Sequence, residues 1–168
     1  MSGVTAAAMS KRPSYWREKT HAMYDRILLA TDGSVASEAA EAHAVDLAAH
    51  TGATLVVLSV VDERVFGAYP GDEYVHEREG LEAALVTEAE EAIAAVETVA
   101  DARDVPVRTL LRHGDPVEEI LDAIEHEAVE LAIVGTSRAA GSYPELLGSV
   151  AERVTHRADV PVMIVKTA

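Results

Sequence analysis

Leu131-Ala-Ile-Val-Gly-Thr-Ser-Arg-Ala-Ala-Gly-Ser-Tyr-Pro-Glu-Leu-Leu-Gly-Ser-Val150 is the stretch on which the reading of the fold turns. An apolar run, Leu131 to Val134, stops at Gly135. A loop of small residues follows, and Gly148-Ser149 leads into a helical pattern. Strand, loop and helix start is the layout by which α/β proteins hold phosphate. Backbone N–H groups of the loop and of the first helical turn point at an anion, and glycines let a ligand come close. Loops of this kind are common, so the weight of the reading falls on whether the rest of the chain builds a site around it.

Upstream, Ile27 to Ala30 is a short apolar run that reads as a buried strand, ended by Asp32-Gly33-Ser34. Ser34 is placed as N-cap of a helix with Glu38 in its first turn, closed by Thr51-Gly52. Thr54 to Val61 is apolar on both faces, which predicts a mid-sheet strand covered by helices on each side. Asp62 to Arg78 reads as an irregular loop of the length used for lids, binding loops or partner contacts. Leu81, Leu85, Ala89, Ala92, Val96 and Val99 mark a long helix, and Glu88 to Glu91 its solvated acidic face. Val105 to Leu111 is a third strand, near an edge because of Pro106. Asp115-Pro116 opens another helix through Ile124, as N-cap and N1. Val150 to Arg157 is the last helix, and Val160 to Val165 a fifth strand.

Strands alternate with helices throughout, which predicts a single α/β domain over residues 24–168 with an open, mostly parallel five-stranded sheet and helices on both faces. Ligands of such sheets bind outside the carboxyl ends of the strands, where the strand order reverses. Two loops then face each other, one carrying Asp32 and the other running from Gly135 to Ser149. A carboxylate opposite an anion cradle is what a nucleotide with a divalent cation needs.

Composition narrows the partners. The net charge is −15, with 29 acidic against 14 basic residues, so nucleic acid phosphates and anionic lipid are repelled. From Tyr24 onward there is a single lysine, Lys166. Dense carboxylates with almost no lysine fit a cytoplasmic, halophilic protein whose self-repulsion is screened by salt; the alternative is a merely acidic protein. Hydrophobic residues make up 49%, with few aromatics, which suits helices packed on a buried sheet. With no cysteine there are no disulfides, thiolate metal sites or cysteine nucleophiles. No apolar run approaches the roughly 20 residues that cross a membrane. Residues 1–23 read as a flexible N-terminal extension and not as a secretory signal, a docking arm or an upstream start codon being the alternatives.

Tyr24-Asp-Arg-Ile-Leu-Leu-Ala-Thr-Asp-Gly-Ser34, Val60-Val-Asp62, Gly114-Asp-Pro116 and Gly148-Ser-Val-Ala-Glu-Arg-Val154 with Val160-Pro-Val-Met-Ile-Val165, taken in order, resemble the universal stress protein family. The resemblance covers Tyr24 to Lys166. It implies a Rossmann-like sheet of strand order 3-2-1-4-5, akin to the adenine nucleotide alpha hydrolases, and a homodimer paired through Val160 to Val165. Nucleotide-binding members carry Gly, two residues, Gly, nine residues, then Gly and Ser or Thr. Gly135 and Gly148-Ser149 match, while Arg138 stands where the middle glycine belongs. The resemblance carries ATP, with Mg²⁺ brought by the nucleotide, onto Ala30, Asp32, Val60, Gly135, Arg138, Gly148 and Ser149. Asp32 and Val60 lie on the adenine and ribose side. Arg138 can block the pocket, turn outward or fork onto the phosphates. A protein that binds no nucleotide and works through protein partners is therefore the alternative.

Other chemistries find less support. Leu-Ala-Thr precedes Asp32 where ATP pyrophosphatases need Ser-Gly-Gly, and there is no Gly-x-x-x-x-Gly-Lys-Ser/Thr. The seven histidines include no pair at metal-binding spacing; His43 and His50 lie two turns apart. Ser34 and Ser149 read as helix caps and not as nucleophiles, because no base accompanies them. With no general base in view, hydrolysis is expected to be slow or absent.

Overall fold

The computed structural model describes residues 23–68, 75–137 and 148–167. The expected N-terminal extension up to residue 22, and the segment 138–147 with Arg138, lie outside the described residues.

The elements are β1 (Arg26–Ala30), α1 (Val35–Thr51), β2 (Thr54–Asp62), a 3-10 turn (Glu63–Ala68), α2 (Val75–Asp101), β3 (Val107–Gly114), α3 (Pro116–His126), β4 (Leu131–Ser137), α4 (Ser149–Arg157) and β5 (Val162–Thr167). All five strands are parallel, in the order β3-β2-β1-β4-β5. The chain lays β1 to β3 in one direction and then crosses β1 to place β4 and β5 on the other side. The strand order therefore reverses between β1 and β4.

Two-sided burial explains the apolar runs. Odd-numbered Ile27, Leu29, Leu55, Val57 and Ile133 pack under α1 and α2. Leu28, Val56, Leu58 and Ala132, on the other face, pack under α3 and α4 with Val117, Ile120 and Val154. Every one of these strand residues is fully buried. Removing either side of that core costs about 2–5 kcal/mol per large side chain truncated to alanine.

Several boundaries differ from the sequence reading. The long helix starts at Val75, so the supposed loop from Asp62 to Arg78 is a 3-10 turn and the start of α2, apart from residues 69–74, which are outside the described set. Its first six residues are exposed on all sides, which leaves no apolar stripe to read. β4 runs through Gly135 to Ser137 because Gly135, Thr136 and Ser137 pair with Val165, Lys166 and Thr167. β5 begins at Val162; Pro161 only offers its carbonyl to Ala132 N–H. Pro106 does the same for Leu55 N–H just before the edge strand β3.

Candidate functional site

β1 hands the chain to its carboxyl-end loop at Thr31, whose N–H still bonds Leu58 C=O at 2.9 Å. Thr31 is buried. Its Oγ1 donates to Glu41 Oε1 on α1 and accepts from Gly33 N–H at 3.1 Å. Asp32 closes the turn: its Oδ1 accepts from Ser34 N–H at 2.9 Å and from Ser37 Oγ at 2.8 Å. Gly33 is obligatory here, with φ of +71° and a would-be Cβ only 2.9 Å from Ala92 Cβ on α2.

Ser34 occupies the N-cap position but its side chain makes no capping bond; the carboxylate of Asp32 reaches its N–H and the Ser37 hydroxyl instead. Ser149, by contrast, is not at the cap position. It is the first residue of α4, the N-cap position falls on Gly148, and no side chain caps the helix. Asp115 caps α3 as read, through Val117 N–H at 2.9 Å and Glu118 N–H at 3.4 Å, with Pro116 in the first turn.

Partial burial pushes the Asp32 carboxyl up, but the hydrogen bonds from Ser34 and Ser37 outweigh it and hold the group below the usual carboxylate range. Asp32 is thus an ionised acceptor, able to take O–H or N–H groups of a ligand and repelling phosphate.

The carboxyl edge opens into a cavity of about 270 Å³ on the α3–α4 face at the strand-order reversal. Ala30 from β1, Asp32 from the turn that follows it, Val60 from β2 and Gly135 from β4 all line it, with Val150 and Ala151 of α4. Four residues named from the sequence are thereby brought together. Gly148 and Ser149 are exposed at the start of α4, next to the lining pair Val150 and Ala151. Arg138 lies outside the described residues.

The two motif glycines have different reasons. A Cβ on Gly135 would stand 2.4 Å from Ala36 C=O oxygen and 3.0 Å from Ser37 Cα, so this glycine admits the first turn of α1 against β4. A Cβ on Gly148 would meet only Thr136 Oγ1 at 3.5 Å, an ordinary contact, and its φ of −53° suits any residue. Packing therefore explains Gly135 and leaves Gly148 without a structural reason. Gly148 N–H donates to Thr136 Oγ1 at 3.1 Å, which ties the entry to α4 to the end of β4.

Sequence reasoning passed over one cluster. Asp62, at the end of β2, grips Arg64 through Nε at 2.8 Å and Nη2 at 2.6 Å, and both line the cavity. Hydrogen bonding from Arg64 holds the Asp62 carboxyl below its ordinary range. Arg64 Nη1 also lies 3.4 Å from Asp115, which Arg153 of α4 approaches at 3.6 Å. An Asp-x-Arg immediately after a buried strand is the signal that would have found it. Among the described residues no group of three or more His, Asp or Glu stands together as metal ligands, and every described histidine is exposed. No described helix is long and apolar enough to cross a membrane.

Comparison with known proteins agrees with this architecture. The universal stress protein family matches residues 23–166. A universal stress protein of Methanocaldococcus jannaschii is 34% identical over 144 residues, 86% of this chain and 83% of that one. Among solved structures, the universal stress protein UspA of Lactobacillus plantarum superposes with a TM-score of 0.74 at 26% identity, covering 86% of this chain and 99% of the other. The universal stress protein of Archaeoglobus fulgidus in complex with dAMP shares the fold, with a TM-score of 0.58 at 20% identity over 84% of this chain and 98% of its own. The sheet order, the motifs in sequence and these matches lead to one conclusion: the chain belongs to the universal stress protein family.

Proposed function

We propose that this chain is a cytoplasmic nucleotide-occupancy module. It holds an adenine nucleotide, ATP with Mg²⁺ foremost, pairs with a second copy through its last strand, and signals to protein partners with little or no catalysis. One observation carries the reading: the cavity at the strand-order reversal has an acceptor-only carboxylate, Asp32, on one side and the uncapped start of α4 on the other. At about 270 Å³ the cavity suits a base and ribose rather than a whole triphosphate. Val60 and Ala30 supply apolar wall, Asp32 accepts from ribose or amine, and the phosphates lie outside, toward Gly148, Ser149 and the N–H groups of α4. Mg²⁺ would be held chiefly by the phosphates. The dAMP held by the Archaeoglobus fulgidus protein is compatible with this, though at 20% identity that likeness carries the fold alone.

Low turnover follows from the carboxylates. A general base works best with a pKa near the operating pH, and both Asp32 and Asp62 are held lower by their hydrogen bonds. The dimer reading rests on β5, an edge strand whose Val162, Met163, Ile164 and Val165 are only half-buried.

Arg138 favours a second reading, in which a bulky cation at the middle motif position excludes nucleotide and the protein acts through partners alone. Protein purified in high salt, extracted for bound nucleotide by mass spectrometry and titrated with ATP and Mg²⁺ by calorimetry, separates the two. Co-purified nucleotide or saturable heat supports occupancy; neither, at millimolar ATP, sinks it. Binding that emerges only in Arg138→Gly assigns the block to that side chain.

A further inference from the structure

A second cavity, of about 690 Å³, opens on the opposite face of the sheet between α1 and α2. Six carboxylates line it: Asp32, Glu38, Glu41, Asp62, Glu88 and Glu91. No Lys, Arg or His does. Elsewhere several carboxylates are matched, as in Asp46 with Arg103, Asp122 with Arg112, Glu127 with Arg108 and Glu118 with Arg157, while others, such as Glu90, Glu97 and Glu125, stand singly on exposed helix faces with no ion pair among the described residues. Here only Asp62 has an arginine, and Glu38, Glu88 and Glu91 have no ion pair among the described residues. The acidic run on α2 is thus a cavity wall as well as a helix face.

An independent feature lies at the floor. Ser59, in the middle of the sheet, is 2% exposed and lines this cavity. Its hydroxyl makes no hydrogen bond among the described residues, yet it is not sealed off: its small accessible area opens to the cavity. A polar group so deeply placed calls for a partner from the cavity side. Around it the floor is apolar, from Val61, Leu85, Ala89 and Ala92.

The spacing of the charges selects the ligand. Glu38 and Glu41 are one turn apart on α1, and Glu88 and Glu91 one turn apart on α2, about 5–6 Å between Cβ atoms in each pair. They do not converge into a chelate, since no three such ligands come together. A compact metal ion is therefore poorly served, whereas ammonium groups strung along methylene spacers reach both walls and lay their carbons on the apolar floor. We propose that this cavity is a binding site for a linear organic polycation of the polyamine class, with Glu38, Glu41, Glu88 and Glu91 on its ammonium groups and the Ser59 hydroxyl accepting from one of them.

The test is calorimetry on the full chain at fixed ionic strength, with spermidine as ligand and hexaamminecobalt(III) as a compact trication of equal charge. Spermidine binds saturably and more tightly than the compact ion. Glu88→Gln with Glu91→Gln weakens it about tenfold or more, because two partly desolvated charge contacts are lost together. Glu90→Gln with Glu97→Gln, the same charge change on the same helix outside the cavity, alters it less than about twofold. Ser59→Ala weakens it about threefold or more, one hydrogen bond to a charged group. Circular dichroism melts show each variant folded. Equal weakening by both glutamine pairs, or equal affinity for the two trications, means cations gathering on an acidic surface and overturns the proposal. Every titration is run on nucleotide-free protein, so failure of this proposal and failure of nucleotide binding in the other cavity are read separately.

Discussion

Replacing Gly135 by alanine tests whether the first glycine of the motif serves a ligand or a helix. The new Cβ would lie 2.4 Å from Ala36 C=O oxygen and 3.0 Å from Ser37 Cα. Carbon contacts settle near 3.5–4.0 Å, so the first turn of α1 must retreat by roughly 1 Å. Overpacking of this kind costs about 1–3 kcal/mol. Alanine also removes freedom from the unfolded chain, a gain of about 0.4–1 kcal/mol. Because the clash is with backbone and not with the end of a flexible side chain, the upper part of that cost applies, and the net loss is about 1–2.6 kcal/mol, or a fall in Tm of about 2–10 °C for a domain of this size. Gly148→Ala is the control, since its Cβ meets only Thr136 Oγ1 at 3.5 Å. It forfeits a little N-cap preference, under about 1 kcal/mol. Urea melts at constant salt and without nucleotide read both. Gly135→Ala should lower the midpoint with an unchanged m-value, and Gly148→Ala should leave it near the parent while weakening nucleotide binding. A Gly135→Ala protein as stable as the parent would refute the packing argument.

Thr31→Val removes a buried hydroxyl that serves both Glu41 and Gly33 N–H, so a loss of about 1–3 kcal/mol in urea unfolding is expected, larger than for an exposed Thr→Val such as Thr98→Val. Asp32 has a depressed carboxyl pKa, so its contribution to stability is complete above the ordinary value of 3.8 and fades as pH falls from there toward its lower folded value. The stability gap between the parent and Asp32→Asn should accordingly be constant at neutral pH and narrow below about pH 4; a gap that widens on acidification contradicts the hydrogen-bond account. Ile164→Arg, on the half-buried edge strand, should shift the protein to monomer in sedimentation velocity without unfolding it.

Much of the fold was legible because the sheet is buried on both faces. Thr54 to Val61 cannot be mistaken when α1 and α2 cover one face and α3 and α4 the other. The exposed start of α2 was illegible for the converse reason, as Val75 to Gly80 touch no core and carry no period. Ala30, Asp32, Val60 and Gly135, which the sequence pointed to as candidates, line one cavity. The purpose of Gly135 was not readable, because the backbone it admits lies nearly a hundred positions earlier in the chain. Ser34 does hold the N-cap position read for it, but without a side-chain capping bond; the N–H of Ser37 bonds the Ser34 carbonyl at 2.8 Å. The arginine clamp on Asp62 depends on a turn whose path the sequence does not announce.

Packing and site are joined at the first turn of α1. Gly135 lets Ala36 and Ser37 settle against β4, and Thr167 Oγ1 at the end of β5 donates to Ala36 C=O at 3.1 Å. Ser37, thus seated, donates to Asp32 at 2.8 Å, and Gly33 brings that same turn against Ala92 of α2. The carboxylate that faces the smaller cavity is therefore oriented by contacts reaching the edge strand on one side and the acidic cavity on the other. Asp32 and Asp62 line both cavities, so a ligand in either acts on the same two charges. A cation beside Asp32 eases the approach of phosphate, and phosphate in turn favours the cation, by Coulomb attraction that is strongest where water is excluded. That coupling needs no moving part. It would follow from the proposed occupants, an anion in the smaller cleft and a polycation in the larger, sharing two carboxylates across one sheet edge, and by linkage it would act equally in both directions.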